Sequence, residues 1–202
     1  MRSAQNLYEA GLITYLRTDG INISTSPNTG EPFSEENPGP PPLEEIRNVI
    51  SEKFGKKFLS DDVRVYKSKV KNSQEAHEAI RPTNIKTYPE KINLGQDEQK
   101  LYTLIWNRTV ASQMSNSEHE RKKIVVHSEN DKFVLNASSR KTIFEGFETL
   151  SKKDSSEALD FPEDLKEKEK VNFLEFISEQ KFTSPPNRYS EASLIKKMEE
   201  LG

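Results

Sequence analysis

The sequence predicts an α+β chain of more than one domain: a helical first part, a β-rich second part and a closing helix. Apolar residues recur at helical spacing up to about residue 117. Short runs of β-branched and aromatic residues, divided by turn formers, follow. Only 32% of the 202 residues are hydrophobic and 31% are charged, with a mean hydropathy of −0.84. That balance suits a small core with long exposed surfaces rather than one thick globule.

Residues 3–10 (SAQNLYEA) read as a helix, with Gly11 placed to end it in the left-handed conformation. Leu12 to Leu16 include the β-branched Ile13 and Thr14 and the aromatic Tyr15, so a short extended segment is predicted there. Residues 25–42 are rich in Pro, Gly, Ser and Asn and form a loop or insertion without core-forming capacity. A helix over about 42–54 starts on Pro42, carries Glu44 and Glu45 in its first turn and can stop at Gly55. Another over about 97–114 opens on Asp97 and Glu98, and its predicted apolar face is Leu101, Leu104, Ile105, Trp106 and Val110. Strands are predicted over 121–127, 132–137, 142–147 and 171–177, with a hairpin turn at Glu129, Asn130 and Asp131. Residues 151–170 form a charged, solvated connection, and Ser190 can cap a helix over 191–201.

The formal net charge is −3, from 30 basic and 33 acidic residues, which by itself opposes a nucleic-acid partner. The distribution of charge matters more than its sum, however. The absence of cysteine excludes disulfides and thiolate metal sites. No apolar run has membrane-spanning length and the first residues do not resemble a signal peptide, so an intracellular protein is expected. No Gly-rich phosphate loop of the ATP-binding kind is present.

Three stretches concentrate reactive groups. In Tyr15-Leu16-Arg17-Thr18-Asp19 an extended backbone would place Tyr15 and Arg17 on one face. A phenol is a weak nucleophile at neutral pH, with a pKa of roughly 10, and a neighbouring guanidinium can both favour its ionised form and grip a phosphodiester. On spacing alone, the same pair is more often a half-buried strand tyrosine beside a surface arginine. The second stretch, residues 73–82, gathers His77, Glu78 and Arg81 ahead of Pro82. A histidine can shuttle a proton or donate to a phosphate, but a surface histidine looks identical in sequence. The third, Pro185 to Leu194, leads into a capped helix whose amides could receive a phosphate, or which is simply a well-started helix.

Taken in order, these stretches closely resemble the central region of bacterial type IA DNA topoisomerases. AQNLYEAGLITYLRTDG matches the family's nucleophile motif, departing at Leu16 and Gly20, where the family has Met and Ser. NSQEAHEAIRPT matches its histidine motif, and LYTLIWNRTVASQM, FEGF and PPNRYSEASLIKKMEELG also fall in family order. The resemblance implies that Tyr15 is the nucleophile, forming a 5′-phosphotyrosine, that Arg17 positions the scissile phosphate, and that His77 lies close to both. It places Gln5, Glu9, Thr14, Thr18 and Asp19 in a supporting, DNA-contacting shell and makes Arg81 structural. It also implies Mg²⁺ held by a Toprim domain outside this sequence, no use of ATP, negatively supercoiled or single-stranded DNA as partner, a monomer, and a bacterial cytoplasmic, nucleoid-associated enzyme. The sequence would then hold the helical nucleophile domain over 1–117, part of a β-rich arch over 118–182, and the start of a further helical domain over 183–202. As a fragment it would be inactive alone. A decatenating enzyme of the topoisomerase III type, a reverse-gyrase segment, or a non-catalytic module binding DNA or a protein stay open as alternatives.

Overall fold

The computed structural model describes residues 2–18, 20–27, 39–66, 78–130, 132–151, 161–162, 164–172, 174–175 and 177–201. It is α+β, with four α-helices and a two-stranded antiparallel sheet among the described residues. The chain divides into two compact units, Met1–Phe161 and Pro162–Gly202. Most of the 25–42 stretch lies outside the described residues, as do Asp19, His77 and the turn residue Asp131.

In the first unit, α1 spans Arg2–Glu9. It ends in a Schellman arrangement: Leu12 N–H donates to the Leu7 carbonyl at 2.9 Å and Gly11 N–H to the Tyr8 carbonyl at 2.8 Å. Gly11 has φ +68°, a conformation that side-chain-bearing residues adopt at a cost, so glycine is the residue that lets the chain reverse here.

Helix α2, Pro42–Lys53, begins on proline, carries Glu44 and Glu45 at its positive end and Lys53 at its negative end, and gives way to Gly55 at φ +95°. Helix α3 spans Gln96–Ala111. Its buried face differs from the predicted one. Tyr102, Trp106, Thr109 and Val110 are buried, whereas Leu104 is 57% exposed. The aromatic rings can turn inward because their polar tips find partners: Tyr102 Oη donates to the Thr87 carbonyl at 2.8 Å and Trp106 Nε1 to the Ile85 carbonyl at 2.9 Å. Leu7, Ile13, Ile46, Val49, Ile50, Ile85, Tyr102, Trp106, Val110 and Met114 form one core that joins α1, α2 and α3.

The same unit carries a hairpin of β1, Glu118–His127, and β2, Val134–Phe144. β2 runs unbroken through residues 138–141, where the sequence suggested a turn, because Ser138, Ser139, Arg140 and Lys141 face Lys123, Lys122, Arg121 and Glu120 across the ladder. Its last predicted part becomes a 3-10 turn, Gly146–Leu150. Gly146, at φ +50°, lies directly against the Asn116 carbonyl, so a Cβ there would collide with backbone.

In the second unit, α4 spans Glu191–Leu201. Ser190 and Ser193 cap its start reciprocally, each backbone N–H donating to the other's hydroxyl. The predicted strand over 171–177 is not formed among the described residues. Leu174 is 92% exposed, and among the described residues no strand pairs with this segment, without which an alternating pattern has no ladder to join.

Candidate active site around Tyr15

The segment that carries Tyr15 is irregular, yet it is held from several sides. Leaving the Schellman turn, it lies antiparallel to residues 81–83: Thr14 N–H donates to the Arg81 carbonyl at 2.9 Å, Thr83 N–H to the Leu12 carbonyl at 3.1 Å, and Ile13 bridges Pro82. The Thr14 hydroxyl donates to the Ala79 carbonyl at 2.9 Å and accepts from Arg81 N–H at 3.0 Å. Thr14 therefore acts through both backbone and side chain on the stretch that follows His77.

That stretch is itself clamped. The nearly buried Arg81 guanidinium pairs with both Glu78 carboxylate oxygens, at 2.7 and 3.0 Å, and donates to the Pro82 carbonyl at 2.8 Å. Glu78 Oε1 also accepts from Ser24 N–H at 2.7 Å, and Ala79 N–H donates to the Asn22 carbonyl at 2.8 Å. The backbone before Tyr15, the backbone after Gly20 and the residues after His77 are thus tied into one unit. Glu78 is the member that motif reading left without a role, although its i,i+3 spacing to Arg81 was a signal for the pair.

On this frame Tyr15 projects outward, 58% exposed, with its ring edge-on to Tyr8 at a centroid distance of 5.4 Å and an interplanar angle of 66°. Such an edge-to-face pair is worth about 1 kcal/mol and limits the torsions open to either ring. Arg17 and Thr18 are exposed on the same stretch of chain. Gln5 and Glu9 lie on the exposed side of α1 and bond each other at 2.7 Å. Beside them, Asn6 donates to Glu98 Oε1 at 2.9 Å, linking α1 to α3. The Glu98 backbone N–H, and then the Asn6 amide, hold this carboxyl below the usual carboxylate range. Asp19 and His77, the other two predicted site residues, lie outside the described residues.

Among the described residues no three His, Asp or Glu side chains are grouped so as to hold a metal ion. No helix among them is long and apolar enough to cross a membrane. What the arrangement offers is an exposed phenol, a guanidinium two residues away, and a rigid base beneath them.

The family model described as DNA topoisomerase matches residues 1–202. The protein named DNA topoisomerase 1 from Rickettsia bellii (strain RML369-C) is 43% identical over 217 residues, covering 100% of this chain and 25% of the relative. That of Helicobacter pylori (strain ATCC 700392 / 26695) is 41% identical over 212 residues, covering 100% of this chain and 26% of the relative. The solved structure of full-length topoisomerase I from Thermotoga maritima superposes with a TM-score of 0.63 at 32% identity, over 100% of this chain and 31% of that one. The chain spans about a quarter of the length of the curated relatives it matches. Carrying the family match along its whole length, this chain belongs to the DNA topoisomerase family.

Proposed function

We propose that the chain is the nucleophile-bearing part of a type IA topoisomerase that relaxes negatively supercoiled DNA without ATP. The observation that carries this reading is the exposed Tyr15 phenol on an otherwise immobilised segment, in a chain matched by the family throughout. Tyr15 Oη attacks a backbone phosphorus. A tyrosyl P–O bond forms and the P–O3′ bond breaks; the phenol gives up its proton and the leaving 3′-oxygen takes one up. The strand is left with a 3′-hydroxyl and a 5′-phosphate on Tyr15. Because one phosphodiester replaces another, the bond energy is kept, and attack of the 3′-hydroxyl restores the strand after another strand has passed.

Arg17 grips the non-bridging oxygens and stabilises the charge that builds on them, a role worth roughly 3 kcal/mol for a single donor in comparable sites. His77, by the resemblance, donates to the scissile phosphate or moves a proton. Thr14 holds the backbone that presents Tyr15, through the bonds to Ala79 and Arg81. Gln5, Glu9, Thr18 and Asp19 contact the DNA or support those that do. In this reading Mg²⁺ is held by a Toprim domain outside this sequence, and among the described residues no three His, Asp or Glu side chains are grouped to bind it.

In the domain scheme that goes with this reading, residues 1–117 carry the nucleophile, 118–182 contribute to the arch and 183–202 begin another helical domain. The enzyme is monomeric and works in the bacterial cytoplasm. The 202-residue chain alone does not relax DNA, since it spans only a quarter of its relatives' length. The test is relaxation of a negatively supercoiled plasmid by a protein of the relatives' full length with this chain at the matched positions. Relaxation that disappears with Tyr15→Phe while DNA binding persists supports the reading, and relaxation by the variant overturns it.

A further inference from the structure

The reversal at Gly11 brings two phenol rings together from opposite sides of one turn. Tyr8 lies in the last turn of α1, and its carbonyl accepts from Gly11 N–H at 2.8 Å. Its neighbour Leu7 is 1% exposed in the core, and Asn6 is tied to Glu98 of α3 at 2.9 Å. The helix end that carries Tyr8 therefore cannot shift without breaking core contacts.

Tyr15 is anchored through its neighbours. Thr14 is bracketed by Ala79 and Arg81, and Leu16 packs against the core. The Cα positions of both tyrosines are thus fixed, and what is left to the nucleophile is chiefly the freedom of its own side-chain torsions. With Tyr15 58% exposed, core packing does little to select among its staggered positions. The Tyr8 ring does select. Centroids 5.4 Å apart and planes inclined at 66° turn the positive edge of one ring towards the negative face of the other. A contact of this kind favours the rotamer that makes it about fivefold over one that does not.

We infer that Tyr8 is a positioning residue: its ring holds the Tyr15 phenol in the rotamer from which it attacks the phosphorus. Holding the reacting oxygen in one geometry raises the fraction of encounters that are productive. The inference rests on Tyr15 being the nucleophile. The working part of Tyr8 is the ring and not the hydroxyl, so phenylalanine should serve equally well and alanine should not. With three staggered positions open at χ1, loss of a fivefold preference lowers the favoured one from about 70% to about one-third occupancy.

Two measurements test this. In the 202-residue chain, three-bond couplings from the Tyr15 Cγ to its backbone nitrogen and carbonyl carbon report the χ1 populations without DNA. Tyr8→Ala is expected to move them towards averaging, and Tyr8→Phe to leave them unchanged. In a protein of the relatives' full length with this chain at the matched positions, single-turnover cleavage of a labelled single-stranded oligonucleotide is followed. Cleavage should slow about twofold with Tyr8→Ala and recover with Tyr8→Phe, at unchanged affinity for the oligonucleotide. Folding is checked by the emission of the buried Trp106. Tyr8→Leu, which keeps apolar volume but no ring, should show the same loss and serves if alanine loosens the end of α1. Unchanged couplings or an unchanged cleavage rate in the ringless variants overturns the inference, as does a slow Tyr8→Phe. A rate loss matched by an equal loss of affinity would make Tyr8 a DNA contact and overturn it too. Absence of an adduct on Tyr15 in the unsubstituted protein would overturn the nucleophile reading and the inference with it, whereas a normal adduct indifferent to Tyr8 overturns the inference alone.

Discussion

Two irregular stretches of this chain have little regular secondary structure but very different surroundings. Around Tyr15, residues 12–14 and 78–83 form no named strand, yet bonds from Thr14, Glu78 and Arg81 tie them together and Ile13 is 1% exposed. Residues 177–189 are equally irregular, and Ile177 at 84% and Phe182 at 82% exposure stand in solvent. The difference teaches that coil is not a physical state in itself. A segment without a ladder is rigid when its backbone groups find side-chain partners, and that rigidity is what a nucleophile needs if it is to meet a phosphate in a fixed geometry.

The most direct way to break this contrast is Arg81→Ala. It leaves Glu78 partly buried without its bidentate partner and should cost about 3 kcal/mol in urea unfolding of the chain. Removal of Lys181, whose exposed pair with Glu179 is the counterpart in the second stretch, should change stability by no more than about 0.5 kcal/mol. Equal effects of the two substitutions would erase the distinction.

Legibility in the sequence follows the same division. Elements that depend on local rules were readable: Pro42, Gly11 and Ser190 set the ends of α2, α1 and α4 by their own conformational or capping chemistry. What depends on distant partners was not. The buried face of α3 shifted because Thr87 and Ile85 carbonyls wait for the tips of Tyr102 and Trp106, and no periodicity in the helix reveals that. The break foreseen within β2 disappeared because β1 supplied a ladder, and among the described residues no strand forms at 171–177, where none of them supplies one. At the site, the motif pointed to Tyr15 and Arg17. The bonds of Thr14 to Ala79 and Arg81, of Asn22 to Tyr66 and of Gln113 to Arg64 link residues 44 to 67 positions apart in the chain, beyond the reach of local pattern.

A second prediction concerns the core beneath the site and depends on pH. Burial raises the Tyr102 pKa from 10.0 to about 12. The folded state therefore holds this proton more tightly than the unfolded state, so the contribution is complete below about pH 10 and is lost as the pH rises towards about 12. The loss amounts to about 3 kcal/mol. Alkaline unfolding should show this component in the wild type and not in Tyr102→Phe, although that variant should itself be about 1 kcal/mol less stable at neutral pH for want of the bond to Thr87. Parallel pH profiles for the two proteins would contradict the assignment.

A smaller effect sharpens the contrast at the turn before Tyr15. Gly11→Ala forces a side chain into the left-handed region and should cost about 1 kcal/mol, measured as a lower urea midpoint with an unchanged slope. An unchanged midpoint would mean that the Schellman turn does not need glycine.

The central claim is that Tyr15 is the atom-bearing end of the cleavage reaction. The most direct measurement is trapping of the protein–DNA adduct on a labelled single-stranded oligonucleotide, in a protein of the relatives' full length with this chain at the matched positions, followed by peptide mapping of the linked residue. The account predicts a 5′-phosphate on Tyr15 and no adduct with Tyr15→Phe. An adduct on another residue, or one that survives this substitution, would contradict it.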